Sequence, residues 1–330
     1  MINRIFVSVA VALTCAVAAT SAQQNPYLGR WNITPAGDNP TGVYWLEVKQ
    51  DGGKLSGMLL NRGGHPLPLP VIKIENGELI FQPDGGQRGP GPEFHLRAQG
   101  DKLTGSVKLG ERTVELAGAR PPKWGNYNAN APHKFGKPVE LFDGKSMDAW
   151  DVQNNTRPMK WGIEDGAMTN QPPGANNLVS KQKFQDFKIQ AEYKLDKPHA
   201  TASGNPSKGN SGIYLRGRYE LQVLDDYGDK TFDRGHMSVY GWHTPTANAS
   251  KPAGEWQTME ATVVGNRVTV ILNGQKVQDN VTLEAVTGGA LDANESEPGP
   301  IMLQGDHEKV WYRKVVVTPI TGASGGTKTQ

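Results

Sequence analysis

The chain has one cysteine, Cys15, in 330 residues, and it sits inside an amino-terminal apolar run. Once that run is removed no thiol remains, which excludes a disulfide framework, Cys-ligated zinc and a thiolate nucleophile. Charge of one sign is lacking too: 35 Lys and Arg face 33 Asp and Glu, a formal +2. With no basic stripe there is no electrostatic footprint for nucleic acid or an anionic membrane, and a neutral partner fits better. No phosphate loop, HExxH or dinucleotide fingerprint occurs, and the one GxSxG string, Gly322 to Gly326, falls in the Gly/Ser-rich tail and not at a strand-to-helix elbow, so serine-hydrolase, nucleotide and zincin readings lose their usual support. Convincing amphipathic helices are absent as well. The 40 glycines and 23 prolines exceed average usage of roughly 7% and 5%, so turns are frequent and the chain reads as β-rich.

The one long apolar run has the layout of an address. Met1 to Arg4 is a positive n-region, Ile5 to Ala19 is almost uninterruptedly apolar, and Thr20-Ser21-Ala22 offers the small residues of a signal-peptidase site. A signal peptide over residues 1–22 and a periplasmic or secreted protein are expected. The run is too short to span a bilayer, which takes roughly 20 residues, and no later segment is apolar enough, so no membrane span is expected. Thr14 before Cys15 argues against lipidation.

More than twice the usual single-domain length of about 150 residues predicts two domains. Over residues 23–120, short strand patterns alternate with Asp51-Gly52-Gly53, Asn76-Gly77, Gly100-Asp101 and Gly110. Such residues tolerate the positive φ of tight hairpin turns, so a small antiparallel barrel or meander of about six or seven strands is predicted. In it Val43, Trp45, Glu47 and Lys49 oppose Tyr44, Leu46 and Val48, an imperfect alternation. The Gly/Pro-rich stretch Asp84 to Pro92 reads as a mobile loop. Residues 121–138, rich in Pro and Asn, read as an extended linker. Over 139–320 about ten to twelve further strands, without a helix, suggest two stacked antiparallel sheets, a jelly-roll sandwich. The tail, 321–330, should fray.

The most informative stretch is Asn210 to Asp225, read as a strand from Gly212 to Leu224. Alternation along it would put Arg216, Arg218, Glu220 and Gln222 on one face and Leu215, Tyr219, Leu221 and Val223 on the other. A solvated sheet face alternates in the same way. Two guanidiniums, a carboxylate and an amide in succession could instead grip a polyhydroxylated ligand through multidentate hydrogen bonds. A second polar ledge, Gln304 to His307, follows the apolar Ile301 and Leu303, and His307 closes that strand. Imidazole titrates near neutrality, so His307 is the most attractive proton carrier, with Asp306 or Glu220 to tune it. Asp225, with Asp226 and His307, could form a site for a divalent cation. His236 and His243 flank Tyr240 and Trp242, aromatic groups able to pack on sugar C–H faces or to plug the core. Trp150, Trp161, Trp256 and Trp311 read as core.

Leu141-Phe142-Asp143-Gly144-Lys145, Trp161 to Gly166, Asn210-Ser211-Gly212, Tyr219 to Asp225, Gly254-Glu255-Trp256-Gln257, Asn273-Gly274 and Gly299 to Gln304 through His307 and Arg313 together resemble the 3-keto-disaccharide hydrolase domain family. The resemblance covers about residues 139–320. It implies a concanavalin-like jelly roll and cleavage of glycosides oxidised to a ketone at sugar C3. The ketone acidifies the C2 proton; its removal gives an enolate, the aglycone leaves C1, and water adds back. That route needs a base, an acid and an enolate holder. The resemblance points to Glu220 and His307 as base and acid in either order, and to Arg216 or a bound cation at the enolate oxygen. Asn210, Gln222 and Gln304 would clamp the sugar, joined by Arg218 and Trp242, with Asp225 orienting or ligating. Glu308 and Lys314 depart from the family pattern at the rim. The expected partner is an oligosaccharide or glycoside, and a non-catalytic carbohydrate-binding protein is the alternative. The amino-terminal part looks only generally like a lipocalin-type barrel.

Overall fold

The computed structural model describes residues 25–37, 42–86, 89–154, 156–172, 174–198 and 208–322. The expected signal peptide lies outside them, as do residues 323–330 of the expected tail. Every named element is a strand, in two groups. The first comprises β1 (Gly29–Pro35), β2 (Tyr44–Asp51), β3 (Lys54–Asn61), β4 (Leu67–Pro68), β5 (Val71–Glu75), β6 (Glu78–Gln82), β7 (Phe94–Gln99), β8 (Lys102–Leu109) and β9 (Arg112–Ala119). They form one antiparallel sheet in the order β4-β3-β2-β1-β9-β8-β7-β6-β5. Pairing of β1 with β9 folds the meander round, and β3 comes near β5, so the sheet curls into a barrel. Nine strands replace the six or seven expected, because β4 and β5 are short and mostly exposed and carry little apolar signal.

Alternation packs Trp31, Ile33, Tyr44, Leu46, Val48, Phe81, Phe94 and Leu96 inside the barrel. Trp45 breaks the pattern. It points outward yet is buried, because the outer face of β2 docks on the second domain. There Val43, Trp45 and Leu60 pack with Ala285, Val286 and Ala290, and Trp45 meets Trp242 edge to face at 4.9 Å. The Asn32 amide donates to Glu295 Oε1 at 2.6 Å, and Arg30 pairs with Glu284 at 3.0 Å.

The second group comprises β10 (Lys134–Phe135), β11 (Val139–Phe142), β12 (Trp150–Val152), β13 (Trp161–Glu164), β14 (Ala167–Asn170), β15 (Leu178–Phe184), β16 (Phe187–Leu195), β17 (Asn210–Leu215), β18 (Tyr219–Leu224), β19 (Gln257–Val264), β20 (Arg267–Leu272), β21 (Gln275–Thr282), β22 (Gly299–Leu303) and β23 (Val310–Gly322). The fourteen strands build a nine-stranded sheet along β13-β14-β23-β16-β19-β20-β21, with β10 and β11 on β23, and a five-stranded sheet, β12-β15-β22-β17-β18. Phe187, Ile189, Ala191 and Tyr193 from one sheet meet Ile213, Leu221, Val223, Ile301 and Leu303 from the other, giving a jelly-roll sandwich with one core. Trp150 and Trp161 join that core, whereas Trp256 and Trp311 lie half-buried on the outer face, flanking the Lys194 ammonium at 5.1 and 4.6 Å.

Three expectations change here. The stretch Gly212 to Leu224 is a hairpin rather than one strand, reversed at Arg216-Gly217-Arg218 where φ is +54° at Arg216 and +66° at Gly217. The linker is strapped down: the Asn130 amide donates to Asp279 at 2.6 Å, its carbonyl oxygen accepts from Thr269 at 2.7 Å, and the Ala129 amide donates to Asn280. Within Asp84–Pro92, Asp84 and Pro90 form a bridge, while residues 87 and 88 lie outside the described set.

Candidate functional site

The five-stranded sheet has one face in the core; the other carries the site. Hairpin register pairs Tyr214 with Glu220 and Gly212 with Gln222, and β22 pairs Met302 with Tyr214. Cross-strand partners share a face, so Glu220, Gln222 and Tyr214 emerge together, opposite the core-facing Tyr219, Leu221 and Val223. At the strand ends this face adds Asn210, Gln304, Asn177 and Gln153, and the 304–309 loop adds Asp306 and His307. These groups, with Tyr240, Gly288, Gly289, Gly63 and Gly64, line a hollow of about 420 Å³, within the roughly 300–1,000 Å³ of small-molecule sites.

Two carboxyl groups in the hollow are driven apart. Glu220 is buried, and burial pushes its carboxyl up from 4.5 to about 8; the Tyr214 hydrogen bond opposes that rise and the Asp306 charge adds to it. The Tyr214 hydroxyl lies 2.9 Å from Glu220 Oε2 and 2.9 Å from the Gly288 carbonyl. That carbonyl can only accept. The single Tyr214 proton is thus shared between two acceptors, Glu220 Oε2 and the Gly288 carbonyl. Gly212 makes room for this carboxyl: a Cβ there would stand 3.1 Å from Glu220 Cδ and closer still to Oε1.

Burial also opposes ionisation of Asp306, but His307 and Arg157 outweigh it and hold this carboxylate below the usual range. His307 Nδ1 lies 2.8 Å from Asp306 Oδ1, and Arg157 donates to Oδ2 at 2.6 Å. With Nδ1 turned to Asp306, the exposed imidazole presents Nε2 on its other side. Gln304 contributes a buried Oε1 that has no protein partner, and an orphaned acceptor lining a hollow is a place for a ligand hydroxyl.

Asn210, Glu220, Gln222, Gln304 and His307 are thus brought together, although His307 stands in the loop after β22 rather than closing the strand. Arg216 and Arg218 are not with them, because the turn takes both out of the alternation. Arg216 is fully buried, donating to the Gly265 carbonyl, with its guanidinium over the Tyr219 ring at 5.3 Å. Arg218 bonds Asp292 at 2.6 Å and the Glu297 carbonyl at 2.7 Å. Both fasten the hairpin tip to the 292–297 loop, so neither reaches an enolate in the hollow. Trp242 also lies outside, donating its indole N–H to Val286 at 3.3 Å in the domain seam. Asp225 is one residue out of phase with Gln222 and Leu224 and does not line the hollow. Among the described residues no group of three His, Cys, Asp or Glu is placed to hold a metal ion. With Asp306 engaged at both oxygens, the donor set does not fit a divalent cation, and no step is derived through one.

His236 is internal, its Nε2 2.7 Å from the Tyr193 hydroxyl and its Nδ1 2.6 Å from the Leu224 carbonyl. Tyr214, Arg157, Gln153, Asn177 and the two barrel glycines were not legible as site residues. Tyr214 follows from Glu220 once the turn is recognised, since strict pairing sets the two opposite. A second hollow, about 480 Å³, lies where Arg120 to Trp124 cross the domain seam. It contains no histidine, and its acids Glu284, Glu295 and Asp101 are already engaged by Arg30, Asn32 and Arg120.

A two-sheet jelly roll with an amide-rich hollow, in which one carboxyl is raised and another lowered, fits a carbohydrate-active protein. The chain belongs to the 3-keto-alpha-glucoside-1,2-lyase-like domain family, whose model matches residues 137–318. It is similar to three solved glycosyl hydrolase candidates from Parabacteroides distasonis. One is 30% identical over 56% of this chain and 84% of its own, with a TM-score of 0.47. The others are 19% and 22% identical over 56% of this chain and 94% and 100% of theirs, with TM-scores of 0.43 and 0.42. No curated protein matches the chain.

Proposed function

We propose that the protein is an exported enzyme that cleaves 3-keto-glycosides by C2 proton abstraction and β-elimination, followed by hydration. The observation that carries this reading is the pair of carboxyls in one hollow, Glu220 kept neutral by burial and Asp306 kept ionised beside His307. Environments that push two carboxyls apart separate their roles, Glu220 as the acid and Asp306 as the carboxylate that orients His307.

His307 Nε2 takes the proton from C2, and the C–H electron pair forms a C2–C3 double bond as charge moves to the ketone oxygen. Amide N–H groups of Gln222 and Asn210 are the neutral donors able to hold that oxygen. The enolate then collapses, the C1–O bond breaks, and Glu220 gives its proton to the departing oxygen. The products are an alcohol and a 1,2-unsaturated 3-keto sugar. Water adds its oxygen to C1, its proton returns to Glu220, and His307 returns the first proton to C2. The net change is hydrolysis. Gln304 Oε1 accepts a sugar hydroxyl.

The pattern of residues 1–22 supports export to the periplasm or beyond. Incubation of purified protein with a 3-keto-disaccharide should release monosaccharide, and Glu220→Gln and His307→Ala should each suppress it. Binding without release by the unmodified protein would overturn the enzymatic reading in favour of a carbohydrate-binding protein.

A further inference from the structure

The sandwich supplies every side chain so far placed in the hollow, yet the barrel reaches it through one turn. Gly63 and Gly64, between β3 and β4, stand on its rim next to Gly288 and Gly289. The Gly289 amide donates to the Arg62 carbonyl at 2.7 Å. Gly288 lies so close that a Cβ on it would come within 2.7 Å of the Gly64 nitrogen. The same Gly288 offers its carbonyl to Tyr214, the neighbour of Glu220. A continuous path therefore joins the barrel backbone to the carboxyl. The contact is not loose, because Trp45 and Trp242 lock the seam beside it.

Position matters as much as contact. The outer edge of β18 is covered from within the sandwich, where Tyr240 bonds to Glu220, and Met237 and Ser238 bond to Gln222, so the polar face runs on toward the hairpin tip instead. The 287–289 segment stands at that tip, held by the Thr287 amide on the Arg218 carbonyl at 2.9 Å, with the barrel turn against it. An open groove admits the interior of a polymer; a walled one admits an end.

We infer that the Arg62-Gly63-Gly64 turn is a specificity element of the site: it closes the hairpin-tip end, restricts the hollow to a short glycoside or a chain end, and leaves space for the leaving group because position 63 has no side chain. The inference rests on the glycoside-cleaving reading and adds to it a role for the barrel. Gly63 allows a direct test, since its φ is not positive and a Cβ there would meet nothing within 4 Å. Gly63→Ala and Gly63→Phe should therefore fold, with unchanged melting temperature.

The probes are a 3-keto-disaccharide and the corresponding methyl 3-ketoglucoside, compared for turnover and, by titration calorimetry, for binding. Gly63→Phe should raise KM for the disaccharide about tenfold or more, the range in which steric changes in a pocket act. The methyl glycoside should stay within about twofold, and Gly63→Ala should lie between the two. Equal effects on both probes, or no effect on either in a folded variant, would overturn the inference. If the unmodified protein turns over neither probe, the catalytic reading fails separately, and the calorimetric ratio still decides the role of the turn. Absence of binding to both would overturn the two together.

Discussion

Replacing Glu220 with Gln keeps the shape of the side chain and removes its titration, so it isolates the energy held in one proton. A carboxyl moved from 4.5 to about 8 by burial binds its proton more tightly folded than unfolded. The stability this contributes is complete below 4.5 and is lost as pH rises through about 8. At 1.36 kcal/mol per unit, the full gap is worth at most about 5 kcal/mol. Local relaxation and water entry reduce it, and a loss of about 2–5 kcal/mol between pH 5 and 9 is expected. The assay is urea unfolding of the unmodified protein and Glu220→Gln at half-unit pH steps. Other groups titrate alike in both, so the difference isolates position 220, with Asp306 the one charge coupled to it. The unmodified protein should weaken relative to the variant as pH rises, most steeply between about 5 and 7.5 and levelling off above about 8. A flat difference, or one of opposite sign, would refute the claim that Glu220 is neutral and with it the assignment of the acid. Turnover should fall over the same alkaline range.

Asp306→Asn should lower kcat/KM by about 10²–10⁴ with little change in substrate affinity, because the imidazole loses the partner that fixes its tautomer; steady-state kinetics and a melting curve separate this from unfolding. His307→Ala should abolish turnover with stability within about 0.5 kcal/mol, since the ring is exposed, as denaturant midpoints will check. Gly212→Ala should cost about 1–3 kcal/mol by crowding Glu220 and impair turnover as well, measured on the same two instruments. Trp45→Ala should cost about 3–5 kcal/mol, although Trp45 lies outside the barrel core, and calorimetry should show that loss in both domains.

Much of this fold could be read directly. Turn pairs such as Asn76-Gly77 and Asn273-Gly274 need positive φ, and both are hairpins with asparagine φ of +50°. The inward set Tyr44, Leu46 and Val48 followed from period two. What could not be read was why Trp45 spoiled that period, since the partner that buries it is Trp242, far along the chain. The site divides in the same way. Glu220 and Gln222 share a face as alternation requires, but Arg216 left it because two arginines around one glycine do not look like a hairpin turn. Trp242 appeared suited to a sugar and instead seals a seam. Gly63 and Gly64 carried no chemical signal; only tertiary packing brings a barrel turn to the hollow that holds Glu220.

The strap between the domains has a hydrodynamic consequence. Arg120 lies over the Trp31 ring at 3.4 Å on one side of the crossover, and Asn130 is bonded to Asp279 and Thr269 on the other. So short a free span gives no hinge. The two halves should tumble with one correlation time, and a single proteolytic nick near Pro122 should leave them co-migrating on a sizing column.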